Sequence, residues 1–307
     1  MLENNIDTKV PRSTTGDAAG GATHADQLRQ LPREVTPETA EAVWRLYAPE
    51  HFARKYQAPR INRDLSYGPH DRQRLDVHCS SEMPAGAPVL LFVPGGGFVA
   101  GDKHMEGTPY YDNVGGWAAA NGMIGVTIDY RLAPTDPWPA GAIDIDGAVG
   151  WLRKNIAHYG GDANRIVLMS HSAGASHAAG YLAGHAGDGP SVAAAVLLSG
   201  IYALHEGKNE AVAEMYYGSD PATFGRRQPL PEMTQSSVPV LYGVAELDPE
   251  SIHGQTAAAL EAHRAFHHTN ASFIQLQGHN HISEIVSLGV DDEQLAQALH
   301  LFIAKNT

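Results

Sequence analysis

A serine hydroxyl is a poor nucleophile at neutral pH, and it becomes useful only beside a base and an oxyanion site. Ser172 sits at the apex of Ser170-His-Ser-Ala-Gly174, between the apolar run Arg165–Met169 and the small-residue stretch Ala175–Ala183. That order reads as strand, sharp turn, helix. Such a turn lifts the hydroxyl to the end of a sheet, beside the next N–H and a helix N-terminus. The flanking residues must be small, and Ser170 stands where glycine is more usual.

A serine so placed needs an acid and then a histidine, each just past a later strand. The run Val238–Val244 ends in Ala245-Glu-Leu-Asp-Pro249, so Asp248 is the expected acid, with Glu246 as its rival. The run Ser272–Leu276 leads into Gly278-His-Asn-His281, so His281 is the expected base, with His279 as its rival. An acid at this place would hold the imidazole in one tautomer and stabilise the imidazolium. Pro94-Gly-Gly-Gly97 follows the apolar run Val89–Val93 and allows close main-chain approach. The N–H groups of Gly96, Gly97 and Ala173 are then the oxyanion donors. The alternative is a flexible loop or phosphate cradle, but no Gly-Lys-Ser/Thr follows, which excludes a Walker-type loop, and the glycine spacing is not that of a dinucleotide loop. Nor is there a His-Glu-x-x-His pair or a carboxylate cluster for a metal, so neither a metal nor an organic cofactor is expected.

The elements that would carry these residues alternate along the chain. Pro37–Tyr47 reads as a helix capped by Thr36, with Val43, Leu46 and Tyr47 near one face. Ile61–Tyr67 and Arg74–Cys79 alternate around Gly68–Asp71, as in an antiparallel hairpin. Further apolar runs at Val89–Val93, Met123–Ile128, Arg165–Met169, Val192–Leu198, Val238–Val244 and Ser272–Leu276 are separated by helical stretches. Within Ala140–His158, the residues Ile143, Val149, Leu152 and Ile156 are spaced for one buried stripe. Apolar strands separated by helices predict a mostly parallel sheet covered on both faces. Residues 1–32, rich in Gly, Ala, Thr and Asp, read as a mobile arm, with order only where it folds over the body. Residues 33–307 read as one domain, with elements at about 33–58 and 202–235 able to form a small cap over the serine.

The bulk numbers fit a globular protein with a sizeable core and say nothing positive about substrate. The chain has 307 residues, 43% hydrophobic and 18% charged, with a formal net charge of −13. An acidic protein is not drawn to nucleic acid or to an anionic membrane surface. The one cysteine, Cys79, can form no internal disulfide and reads as a half-buried structural thiol. Met1–Val10 has no apolar core of a secretory signal, and the expected compartment is the cytoplasm. The expected partner is a small molecule, with a homodimer left open. Phe98, Trp138, Met215, Tyr216 and Tyr217 are candidates to line its pocket, the alternative being that these side chains are core.

Together these residues resemble the hormone-sensitive-lipase-like carboxylesterases of the α/β-hydrolase superfamily. The matching stretches are Gly95-Gly-Gly-Phe98 with Gly101-Asp102, Asp129-Tyr-Arg-Leu-Ala-Pro134, Ser170-His-Ser-Ala-Gly174, Glu246-Leu-Asp-Pro249 and Gly278-His-Asn-His281. The resemblance implies an α/β-hydrolase fold with a cap, a carboxylic ester hydrolase activity, and a structural role for Asp129 and Arg131 beneath the oxyanion loop. Three departures stand out: Pro94 replaces the usual histidine, Ser170 replaces glycine, and Ile282-Ser283 follows the base. An amide or arylformamide hydrolase using the same triad is the competing reading. A non-catalytic binding protein of this fold comes after it.

Overall fold

The computed structural model describes residues 22–54, 58–82, 85–187 and 189–307. Most of the segment read as a mobile arm, residues 1–21, therefore lies outside the described residues.

Eight strands form one sheet: β1 (Arg60–Ser66), β2 (Arg74–Cys79), β3 (Ala87–Val93), β4 (Ile124–Ile128), β5 (Gly161–His171), β6 (Ala194–Leu198), β7 (Val240–Ala245) and β8 (Ser272–Leu276). Their order is β1-β2-β4-β3-β5-β6-β7-β8. The β1–β2 and β2–β4 pairs are antiparallel, and all others are parallel. Ten helices accompany them among the described residues: α1 (His24–Leu28), α2 (Pro37–Ala53), α3 (Asp112–Ala120), α4 (Ala140–Asn155), α5 (Ala173–Leu182), α6 (Ala211–Tyr217), α7 (Phe224–Arg227), α8 (Glu250–His267), α9 (Ser283–Val286) and α10 (Gln294–Asn306). This is the α/β-hydrolase arrangement.

The pleat divides the central strands between two cores. Leu91 and Val93 with Ile166 and Leu168 face one, under α4, α5 and α8. Leu90 and Phe92 with Val167 and Met169 face the other, under α2, α3, α9 and α10. Successive side chains of a strand point to opposite faces, so a wholly apolar run is what a sheet covered on both sides requires.

Residues 24–28, inside the segment read as an arm, form α1, which packs on the body with Leu28 buried in the second core, and three other expectations are corrected. A Thr23–Asp26 capping box and Leu28 burial hold this short helix, features that a composition-based reading passes over. Ile143 is 42% exposed, and Ala142, Ile145, Val149 and Leu152 form the buried face of α4. The chain then tightens into a short 3₁₀ turn at Ile156–Tyr159, which turns Ile156 into the core. Cys79 is fully buried on β2 rather than half-buried. Finally, β8 is an edge strand whose first four residues are exposed or partly so.

Candidate active site

The parallel strands end on one side, and the motif residues lie there. Ser172 follows β5 and precedes α5 with φ 55° and ψ −123°. A serine pays strain for this conformation, which the tight strand-to-helix turn imposes. Ser172 N–H donates to the carbonyl of Leu198 at 2.8 Å, tying the turn to the end of β6. Ser170 is accommodated because its hydroxyl donates to the Val196 carbonyl on β6 at 3.0 Å.

His281 and Asp248 converge on this serine. His281 Nε2 lies 2.8 Å from Ser172 Oγ, and His281 Nδ1 lies 2.6 Å from Asp248 Oδ1. With the carboxylate as acceptor, Nδ1 carries the proton and Nε2 is free to take one from the serine. The second oxygen of Asp248 accepts from Ser199 Oγ at 2.6 Å and from the Ala245 amide at 2.8 Å. Burial would raise the Asp248 carboxyl, but the His281 charge and these hydrogen bonds hold it below its ordinary value. Burial would lower His281, but Asp248, with smaller contributions from Glu284 and Glu210, raises it above its ordinary value.

The rivals are occupied elsewhere. Glu246 Oε2 accepts from the Gly278 amide at 2.6 Å and pairs with Arg29 at 3.4 Å. His279 lies between Ser283 Oγ at 3.0 Å and Asp292 at 2.9 Å. Both brace the turn that delivers His281.

The glycine loop after β3 abuts the serine: a Cβ on Gly95 would lie 2.9 Å from that of Ser172. Gly96 has φ +142°, and a side chain there would meet the Ala100 carbonyl at 2.2 Å. Gly97 follows beneath Val212 of α6. Ala173 opens α5, where an amide has no acceptor within the helix. Pro94 lacks a side-chain donor, and the loop is held from outside instead: Tyr130 OH donates to the Pro94 carbonyl at 2.9 Å. The neighbouring Asp129 accepts from the Lys103 amide at 2.6 Å, and Arg131 pairs with buried Asp144 at 2.7 Å. Asp129-Tyr-Arg131 thus anchors both ends of the loop.

The pocket candidates divide. Phe98 stacks on Tyr216 at 4.9 Å, with Tyr217 edge-on at 5.6 Å, and all three are buried together. They form a small buried cluster beside the glycine loop, as the core alternative expected. Trp138 packs against that core and donates from Nε1 to His185 at 3.2 Å. On α6, Ala213, Tyr216 and Tyr217 turn inward, and Met215 is left 49% exposed.

Three residues escaped the sequence reading: Ser199, His171 and Glu284. Ser199 follows an apolar strand, but nothing local marks it as the partner of a distant acid. Two groups of potential metal donors occur among the described residues, His171/His281/Glu284 and Asp76/His78/Asp112. In the second, Arg63 and Lys103 already pair Asp76 at 2.6 and 3.0 Å. In the first, His281 is engaged with Ser172 and Asp248.

Known proteins share this organisation. Esterase LipC of Mycobacterium tuberculosis is 27% identical over 318 residues, covering 91% of this chain and 77% of LipC. Esterase LipQ of the same organism is 29% identical over 263 residues, covering 78% of this chain and 61% of LipQ. The structure of esterase B from Lactobacillus rhamnosis, inhibited by a tributyrin phosphonate, superposes with a TM-score of 0.67 at 17% identity, covering 88% and 95% of the two chains. The family model of BD-FAE matches residues 75–253, from β2 through the serine turn and Asp248 into α8. Since that stretch is more than half of the sequence and contains the core of the sheet, the chain belongs to the BD-FAE family.

Proposed function

We propose that this protein is a carboxylesterase, a serine hydrolase that cleaves small acyl or aryl esters through an acyl-enzyme. The observation that carries this reading is the continuous relay Ser172–His281–Asp248, at 2.8 and 2.6 Å, beside a glycine loop and a helix N-terminus. The esterase names of its relatives point the same way.

Ser172 Oγ attacks the ester carbonyl while its proton passes to His281 Nε2. Negative charge collects on the carbonyl oxygen, which accepts from the amides of Gly96, Gly97 and Ala173. The C–O bond to the alcohol breaks, and the His281 Nε2 proton goes to the departing oxygen. Water then repeats the sequence on the acyl-enzyme, releasing the acid and returning the proton to Ser172. Asp248 keeps its charge and holds the imidazolium. The segment between β6 and β7 acts as the cap: Val212 lies 3.7 Å from where a Gly97 side chain would begin. That close cover favours short acyl groups.

The test is hydrolysis of p-nitrophenyl esters of graded acyl length, with an arylformamide beside them, by wild type and Ser172→Ala. The substitution should lower turnover by about six orders of magnitude, because serine and histidine act as a unit. A fluorophosphonate should label wild type at Ser172. Full activity in Ser172→Ala would refute the assignment, and a preference for the formamide would move the reaction to the amide class.

A further inference from the structure

Behind the relay lies a second pair of ionisable side chains that the hydrolytic steps do not use. His171 immediately precedes the nucleophile, at the end of β5. Its Nε2 lies 2.8 Å from the backbone carbonyl of His281. A carbonyl can only accept, so the proton is on Nε2 and points at the base loop. The two imidazole rings are 4.9 Å apart, tilted by 46°. Glu284, on α9 just after the base, is fully buried and brings a carboxylate oxygen to 3.1 Å from the same His171 Nε2. Neither Glu284 oxygen receives a hydrogen bond, and His171 Nδ1 has no partner either. An unsatisfied buried carboxylate is costly and calls for an explanation.

We propose that His171 and Glu284 position the base of the relay: His171 clamps the His281 loop to the nucleophile turn, and Glu284 orients His171 and places negative charge behind His281. The assignment rests on the hydrolase reading above. Four groups face His281: Asp248 from the β7–α8 turn, Glu284 from α9, Glu210 from the start of α6, and His171 from β5. Tyr202 also lies within the field of Glu284. Of the carboxylates, Asp248 directs the proton on His281 Nδ1. Glu284 acts from α9, through the residue that holds the His281 main chain. Its charge favours the imidazolium that forms when Ser172 gives up its proton.

The test is the pH dependence of p-nitrophenyl butyrate hydrolysis by the full chain, between about pH 5 and pH 9, for wild type, Glu284→Gln, His171→Ala and His171→Gln. Removing the Glu284 charge should move the acid limb of kcat/KM to lower pH by about one unit. His171→Ala should lower kcat by roughly 10- to 100-fold, since the base loop loses its tether, with KM within about threefold of wild type. His171→Gln, whose amide can donate to the same carbonyl, should recover part of that loss. An acid limb that stays in place in Glu284→Gln, or a kcat within about twofold of wild type in His171→Ala, overturns the assignment. If His171→Ala does not fold, the isosteric Glu284→Gln decides by its limb alone. Fluorophosphonate labelling of wild type separates the two levels. No label at Ser172 overturns the hydrolase reading and this inference with it; a label with an unmoved limb overturns only the inference.

Discussion

Asp248 illustrates how one carboxylate can be kept charged inside a protein. It has no solvent contact, yet three donors converge on it: His281 Nδ1, Ser199 Oγ and the Ala245 amide. Replacing it by asparagine keeps the shape but puts an NH₂ group within reach of His281, which favours the tautomer with its proton on Nε2. The imidazole could then no longer accept from Ser172. Turnover of Asp248→Asn should fall by about four orders of magnitude while the melting temperature changes far less; near-normal turnover would exclude Asp248 as the acid. At this scale the sequence was legible where chemistry imposes order along the chain. Ser172, Asp248 and His281 each follow a strand, and the strand ends bring them together. Ser199 and Glu284 were not legible, because their roles depend on the distance between strands and loops remote in sequence. Which α6 side chains turn inward was not legible for a related reason: neighbours on a seven-residue helix face opposite ways, and only packing decides which.

The strands of the sheet could be read from apolar runs because a strand covered on both faces needs side chains of one kind throughout. Where cover is one-sided or absent, the signal weakens, as in β8, and α1 is too short for any periodicity to show. The glycine loop proposed to supply the oxyanion donors has its shape set from outside. Gly101 closes it with φ +112°, and a side chain there would lie 2.1 Å from the Gly95 carbonyl. Arg72 donates to the Gly101 carbonyl and pairs with Asp102 at 3.1 Å, while Tyr130 holds the Pro94 end. Gly101→Ala should therefore push the loop off the serine without touching the relay. The expected result is a loss of about 100-fold or more in kcat, the size seen when an oxyanion donor is displaced. Fluorophosphonate labelling should slow in step. A variant with wild-type kcat would show that the loop does not depend on this closure.

The whole molecule carries a pH limit built into its two cores. His177, on α5, is enclosed by Phe98, Tyr130 and Tyr216, and neither ring nitrogen has a hydrogen-bond partner. Burial pulls it down to about 3. His78, on β2 against α3, is pulled down to about 4 by burial, with Asp112 and Asp76 opposing. Unfolding returns both to the ordinary imidazole value near 6.5, so between these values the unfolded chain binds more protons. The stability they contribute is complete above pH 6.5 and is lost as pH falls toward 4 and 3. His281 has the opposite sign: its raised value gives stability that is complete below pH 6.5 and lost as pH rises through the folded value. At pH 5 each buried neutral imidazole accounts for a loss of about 2 kcal/mol relative to neutral pH. His177→Leu removes one of these groups and fills the same apolar site. Between pH 7 and pH 5 its melting temperature should fall less than that of wild type, by roughly 3 °C for a chain of this size. Parallel melting curves for the two proteins across that interval would mean that His177 is not held neutral in the folded state.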